Sequence, residues 1–162
     1  MNGTAMSINA KYTNEVNGDC YESALNTLMD RKWVDYTPYA LPADWRLVHT
    51  MCLGHGPIEG VRFGHAFLLN KELRLVLDTA NGVGGLIPAL TYFPLGDIRP
   101  DEFPYYEYTL GEVRENMIKH ETFGPWGEAH TEIVKIEAES IAAASIDGRD
   151  FKRVVGQEQC TT

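Results

Sequence analysis

A turn that runs into a helix, with a cysteine at the helix start, constrains this chain more than any other stretch. Residues 17–19 (Asn-Gly-Asp) are of the types that form turns and N-caps. Apolar residues follow at the three-to-four-residue spacing of one buried helical face: Ala24, Leu25, Leu28 and Met29. The spacing predicts a helix that begins near Asp19 or Cys20 and ends near residue 30 or 31.

Cys20 falls in the first turn of this predicted helix. Unpaired backbone N–H groups and the positive end of the helix dipole stabilise an anion at that position, which lowers the pKa of a thiol. The position therefore favours Cys20 as a nucleophile. Free cysteine is also among the most buried residue types, so the helix alone leaves a small core residue as an equal alternative.

Three strand-like runs follow at 46–53, 61–69 and 73–78. Residues 54–57 (Gly-His-Gly-Pro) close the first run as a turn, and the polar residues 70–72 separate the second from the third. These connections predict an antiparallel meander whose last two strands form a hairpin. Together with the preceding helix, the meander predicts an α+β fold.

The second half of the chain carries weaker patterns. Residues 86–108 are rich in proline and aromatic residues, which predicts irregular structure with short strands. Thr109 and Glu112 have the spacing of a capping box, which predicts a helix from there to about His120. The spacing of Ile and Val residues at 130–141 fits either a strand or a helix, and we predict a strand at 131–136.

Length and charge exclude several classes of protein. The chain of 162 residues suits one domain spanning 1–162, with disordered tails expected at 1–12 and 156–162. A net charge of −9 argues against a nucleic-acid or anionic-membrane partner, because phosphate binding needs clustered Lys and Arg. The N-terminus lacks the features of a signal peptide, and no apolar run approaches transmembrane length. We expect a cytoplasmic protein.

The cysteines also favour a reducing compartment. Cys20, Cys52 and Cys160 are odd in number, and their spacing indicates no disulfide framework. A nucleophilic thiol would survive in such a compartment.

His65 and Asp78 are the two further residues that could support a thiol nucleophile. His65 lies near the start of the second strand-like run, and Asp78 ends the third. If those strands form a hairpin, its open end brings the two side chains together, and the acid can orient the imidazole. Each residue alone is more often structural. In the order Cys, His, Asp on helix, strand and strand, the three favour catalysis.

Two other patterns contain residue types that occur in ligand sites. His49, Cys52 and His55 are potential zinc ligands, but residues 49 and 52 of one strand point to opposite faces. The glycine-rich residues 81–85 lack the lysine and the spacing of a phosphate-binding loop. We therefore expect no metal site and no cofactor.

Three short motifs make the chain similar to papain-like cysteine hydrolases. They are Asp19-Cys20-x-x-x-Ala24, Gly64-His65-Ala66-Phe67 and Asp78-x-Ala80-x-Gly82. These blocks resemble those of bacteriocin-leader peptidases, and their order is also similar to the transglutaminase-like and bacterial cell-wall peptidase branches. The resemblance covers roughly residues 12–85. It implies an N-terminal helix that carries the cysteine and packs on an antiparallel sheet.

The resemblance also implies a thiol-protease mechanism with a catalytic triad. Cys20 would attack a carbonyl, His65 would shuttle the proton and Asp78 would orient His65 within an acyl-enzyme cycle. Asn14 or Asn17, with the Cys20 backbone N–H, would form the oxyanion hole. The residues assigned to substrate binding, for a peptide or protein substrate, are Tyr21, Trp45 and Gly64.

The chain departs from the family pattern at three positions. Phe67 stands where the transglutaminase-like branch usually has Trp, and Tyr21 stands where leader peptidases usually have Gly. Asn14 stands where many papain-like enzymes have Gln. These departures concern the reaction more than the triad. They leave a peptidase or amidase and a transglutaminase-like acyltransferase as alternatives.

A non-enzymatic protein is the remaining alternative. Such a chain would keep a papain-like scaffold and would bind or inhibit a partner protein through the aromatic segments at 33–45 and 92–108. Small acidic chains of this kind are common among phage-encoded proteins that block host enzymes. The presence of all three triad candidates favours the enzyme.

Overall fold

A five-stranded antiparallel sheet forms the centre of the part that the computed structural model describes, which is residues 20–29, 45–80 and 86–146. The helices are α1 (Cys20–Met29), α2 (Ala89–Leu95), α3 (Leu110–His120) and α4 (Gly127–Ile146). The strands are β1 (Trp45–Leu53), β2 (Arg62–Asn70), β3 (Leu75–Leu77), β4 (Leu86–Pro88) and β5 (Tyr105–Tyr108). A short 3-10 helix spans Gly56–Ile58.

The strands lie in the order β4-β3-β2-β1-β5. β1 and β2 pair along their full lengths, from Trp45 opposite Asn70 to Leu53 opposite Arg62. β3 pairs with the end of β2, and β5 pairs with β1 on its other side. The sheet confirms the predicted α+β class and the predicted antiparallel meander.

Helices cover both faces of the sheet, which explains why β1 and β2 read as nearly continuous apolar runs. On one face, Leu25 and Leu28 of α1 pack with Leu47 and Leu68 in a buried cluster that also includes Val113 of α3. On the other face a second cluster combines strand residues with residues of α2 and the segment after it. Its buried members are Val48, Cys52, Phe67, Leu69, Val76, Ala89 and Ile98.

The predicted strand at 131–136 was wrong, because these residues belong to α4. The buried positions of this helix include Ala129, Ile133, Glu137 and Ala144. Their spacing of three to four residues, or a multiple of it, is that of one helical face. Two alanines and Glu137 occupy most of that face, so the spacing of the Ile and Val residues alone did not reveal the helical period.

Residues 86–108 also contain a helix where the sequence predicted irregular structure. α2 is short, and Pro88 precedes it while Pro94 lies inside it. Proline is tolerated at the start of a helix but disrupts the helix interior. A proline-rich sequence therefore does not predict a helix, even where a short one of one to two turns forms. α3 was predicted at its observed position, and Thr109 and Glu112 form the complete capping box.

Several predictions fall outside the described residues. They include the turn at 17–19, the glycine-rich residues 81–85 and the tails at 1–12 and 156–162. The aromatic segment at 33–45 is described only at Trp45.

We expect Thr109→Ala to lower the free energy of unfolding by about 1 kcal/mol, the usual cost of losing an N-cap side chain. The Thr109 hydroxyl accepts from the Glu112 backbone N–H at 3.2 Å, and the Glu112 carboxylate accepts from the Thr109 N–H at 2.7 Å. Chemical denaturation measures the change. Thr131→Ala, which removes an exposed hydroxyl inside α4, is the control and should change stability much less. Equal effects of the two substitutions would contradict a stabilising cap.

Candidate active site

The register of the β2–β3 hairpin brings His65 and Asp78 together. Leu77 lies opposite Leu68, so Asp78 follows opposite Phe67, two residues from His65 on the same sheet face. Nε2 of His65 lies 3.0 Å from Oδ2 of Asp78. Both side chains are buried in the described structure. An imidazole and a carboxylate are therefore in direct hydrogen-bond contact in the interior.

Cys20 is the first residue of α1 and reaches the same imidazole. Its side chain lies close enough to His65 to raise the pKa of that ring. α1 packs against β2, which carries His65. A hydrogen bond of 2.7 Å between the hydroxyls of Ser23 and Thr79 ties α1 to the residue that follows Asp78. The structure thus joins Cys20, His65 and Asp78 into one chain of contacts.

A tyrosine that the sequence did not single out completes this cluster. Tyr92 of α2 donates its hydroxyl hydrogen to Oδ2 of Asp78 at 2.5 Å, and the Tyr92 hydroxyl oxygen lies 3.1 Å from Nε2 of His65. The other carboxylate oxygen of Asp78 accepts from the Ala80 backbone N–H at 3.0 Å. Tyr92 was missed because it is one of many aromatic residues in a proline-rich stretch with no helical period.

The contacts stabilise a charged imidazole and a charged carboxylate. Burial alone would lower the pKa of His65, but the hydrogen bonds to Asp78 and Cys20 outweigh it and raise this pKa well above its usual value. Burial alone would raise the pKa of Asp78, but the hydrogen bond and charge of His65, followed by the Tyr92 hydroxyl, lower it. The pair is therefore an imidazolium and a carboxylate near neutral pH.

Cys52 is a buried thiol on the same sheet face as His65 but in a different environment. Burial, only partly opposed by the charge of His65, raises the pKa of Cys52 to about 11. A thiol with that pKa is almost entirely protonated near pH 7. Cys52 therefore provides an internal reference for an unreactive cysteine.

The three residues predicted to bind substrate lie in the packed core. Trp45 is fully buried, and Tyr21 belongs to the same buried cluster. A Cβ added to Gly64 would lie 2.6 Å from the Tyr21 hydroxyl and 2.5 Å from Cγ2 of Ile133. These residues act as packing residues in this structure. The predicted oxyanion-hole residues Asn14 and Asn17 lie outside the described residues.

His49 and Cys52 lie on opposite faces of β1, and His49 has an aromatic environment. Its ring is fully buried against those of Tyr21, Tyr108 and Trp126, each with a centroid 4.9 Å away. Burial lowers the pKa of His49 to about 3. In the part of the chain that the structure describes, no group of three or more His, Cys, Asp and Glu residues is arranged to hold a metal ion.

Comparisons with protein-family models, with curated proteins and with solved structures find no match to this chain. Within the described ranges, no helix is both long enough and apolar enough to cross a membrane.

Asp78→Asn should lower the pKa of His65, because it removes the carboxylate and leaves burial, which favours the neutral ring. An NMR titration of the histidine rings measures this change. His49 is the control within the same spectra, and we expect it to stay neutral from about pH 5 to 9 in both proteins. A His65 midpoint that is the same in the two proteins would contradict the ion pair.

Proposed function

We propose that this chain is a cysteine hydrolase that cleaves an amide or peptide bond through an acyl-enzyme intermediate, on a papain-like scaffold. The observation that carries the proposal is the buried hydrogen bond between His65 and Asp78, with Cys20 close enough to His65 to raise the pKa of its ring. A thiol nucleophile needs a base within reach and a third group that orients the base. In the proposed triad Cys20 on α1 is the nucleophile, His65 on β2 is the base, and Asp78, which directly follows β3, orients the base.

The charged imidazolium of His65 supports a mechanism in which the Cys20 sulfur attacks and His65 supplies the proton. In the first step the Cys20 sulfur bonds to the substrate carbonyl carbon, and the carbonyl π electrons move to its oxygen. When the tetrahedral intermediate collapses, the carbon–nitrogen bond breaks and His65 gives its proton to the leaving amine. Water, deprotonated by His65, then attacks the thioester carbonyl carbon; the carbon–sulfur bond breaks, the acid leaves, and the Cys20 sulfur and protonated His65 return to their starting state.

The oxyanion requires hydrogen-bond donors during both steps. Cys20 begins a helix of ten residues, so its own backbone N–H belongs to the group of donors that intrahelical bonds leave free. We propose this N–H as one donor and the side-chain amide of Asn14 or Asn17 as the other. The proposed substrate is a peptide or protein in the cytoplasm, and the proposed mechanism needs no cofactor.

The acceptor of the acyl group distinguishes two versions of the proposal. Attack by water makes the chain a peptidase or amidase, whereas attack by an amine makes it a transglutaminase-like acyltransferase. Both versions use the same acylation step, so a test of Cys20 as a nucleophile applies to both.

Burial of the site favours a second candidate, a non-enzymatic binding module or inhibitor, of the kind encoded by phages. The exposed fractions of Cys20, His65 and Asp78 are only 9%, 3% and 2%. In such a protein the same hydrogen bonds would stabilise the scaffold, and partners would bind elsewhere on the surface.

Iodoacetamide at pH 7 should alkylate Cys20 at least about 100-fold faster than Cys52, because the Cys52 thiol with its pKa of about 11 is almost never ionised. His65→Ala should slow alkylation of Cys20 by about 10-fold or more, since the group that exchanges its proton is lost. Mass spectrometry of the native protein after timed quenching gives the rate at each cysteine.

Cys52→Ala is the matched control, and it should leave the Cys20 rate unchanged. Cys20→Ala should keep the melting temperature within a few degrees of the wild type while abolishing turnover, because a nucleophilic thiol is not a main packing residue. If Cys20 and Cys52 react equally slowly in the folded protein, the hydrolase proposal is wrong and the binding module is favoured.

A further inference from the structure

The hydroxyl of Tyr92 determines how protons are distributed in the Asp78–His65 pair. An ionised carboxylate has no proton to give, and a phenol has one. The Tyr92 hydroxyl donates its one hydrogen to Oδ2 of Asp78, with an oxygen–oxygen distance of 2.5 Å. In its 3.1 Å contact with Nε2 of His65, the hydroxyl oxygen can therefore only accept. The proton in the Tyr92–His65 contact must therefore come from Nε2 of His65.

This distribution leaves one ring nitrogen for Cys20. Nε2 of His65 carries its hydrogen toward Asp78 and Tyr92 whether the ring is neutral or charged. Nδ1 is then the nitrogen that accepts the thiol proton or donates to a thiolate.

The scaffold holds Tyr92 in place from both ends of α2. The backbone N–H of Ala89, at the start of the helix, donates to the Arg74 carbonyl in the β2–β3 turn at 2.8 Å. Just after the helix, the Gly96 carbonyl accepts from the Leu53 N–H of β1 at 2.9 Å. The Tyr92 ring also packs edge-on against Phe67, with centroids 5.1 Å apart. The hydroxyl is thus preorganised by elements that do not depend on Asp78.

We propose that Tyr92 is a positioning residue for the Cys20–His65–Asp78 site, and this inference rests on the proposed function. Its hydroxyl fixes the Asp78 carboxylate in its ionised form and gives Nε2 of His65 a second acceptor. The ring is then held with Nδ1 directed to the sulfur. Tyr92 does not touch the reacting atoms and acts only through Asp78 and His65.

The test compares wild type with Tyr92→Phe, which keeps the ring and removes only the hydroxyl. The pH profile of Cys20 alkylation by iodoacetamide is the first readout. The carbon-13 NMR titration of the Asp78 carboxyl is the second. Burial raises the pKa of Asp78, and the Tyr92 hydroxyl is one of the hydrogen-bond donors that lower it. Tyr92→Phe should therefore raise the titration midpoint of the Asp78 carboxyl by about one pH unit.

In the same variant the acidic limb of the alkylation profile should move to higher pH. The rate at pH 7 should fall by about 10-fold, as expected when a group that orients a catalytic residue is lost. Tyr106→Phe is the matched control, because Tyr106 also donates to a carboxylate, that of Glu132 at 2.7 Å, but lies on the other face of the sheet. It should move neither readout.

The outcomes separate the two proposals. A wild-type Cys20 that does not react above the rate of Cys52 contradicts the proposed function. A reactive Cys20 whose profile and Asp78 midpoint are unchanged by Tyr92→Phe contradicts the inference alone. A lower rate without any shift of the acidic limb or the carboxyl midpoint also contradicts it, because a purely structural role would give that result.

Discussion

A buried contact between the His65 imidazole and the Asp78 carboxylate is the interaction on which the candidate site depends. Removing two charges from water costs several kcal/mol for each ion, and replacing a buried pair by apolar residues is often neutral or stabilising. The pair persists here because Tyr92 and the Ala80 N–H satisfy the remaining oxygen positions of the carboxylate. Stability alone is a weak reason to keep such a pair, and the proposed proton transfer to and from Cys20 offers a better one.

The fold places these groups by simple geometric rules. The antiparallel register of β2 and β3 sets the diagonal contact between His65 and Asp78, and a one-residue slip would move one of them to the opposite face. α1 presents Cys20 from its first turn, and the Ser23–Thr79 hydrogen bond couples that helix to the end of the hairpin. Helix α1, the β2–β3 hairpin with the residue that follows it, and the short helix α2 carry the four side chains Cys20, His65, Asp78 and Tyr92.

Local patterns in the sequence were sufficient for the triad candidates but not for their surroundings. His65 and Asp78 belong to one hairpin, and its strand-like runs and short polar connection are visible in the sequence. Likewise, the capping box of Thr109 and Glu112 predicts the start of α3. Tyr92 reaches the site only because α2 is pinned by tertiary hydrogen bonds, which no local pattern reveals. The buried Glu137 in α4 likewise hid a helical face, because a charged residue does not contribute to an apolar period.

Acylation by a p-nitrophenyl ester tests most directly whether Cys20 is a nucleophile activated by His65. After brief incubation of wild-type protein with p-nitrophenyl acetate, peptide mapping should find one acetyl group on Cys20, with an equivalent burst of nitrophenolate. In His65→Ala the burst should be strongly slowed, and in Cys20→Ala it should be absent. Acetylation confined to surface lysines, or a Cys20 burst that is unchanged by His65→Ala, would contradict a cysteine hydrolase at this site.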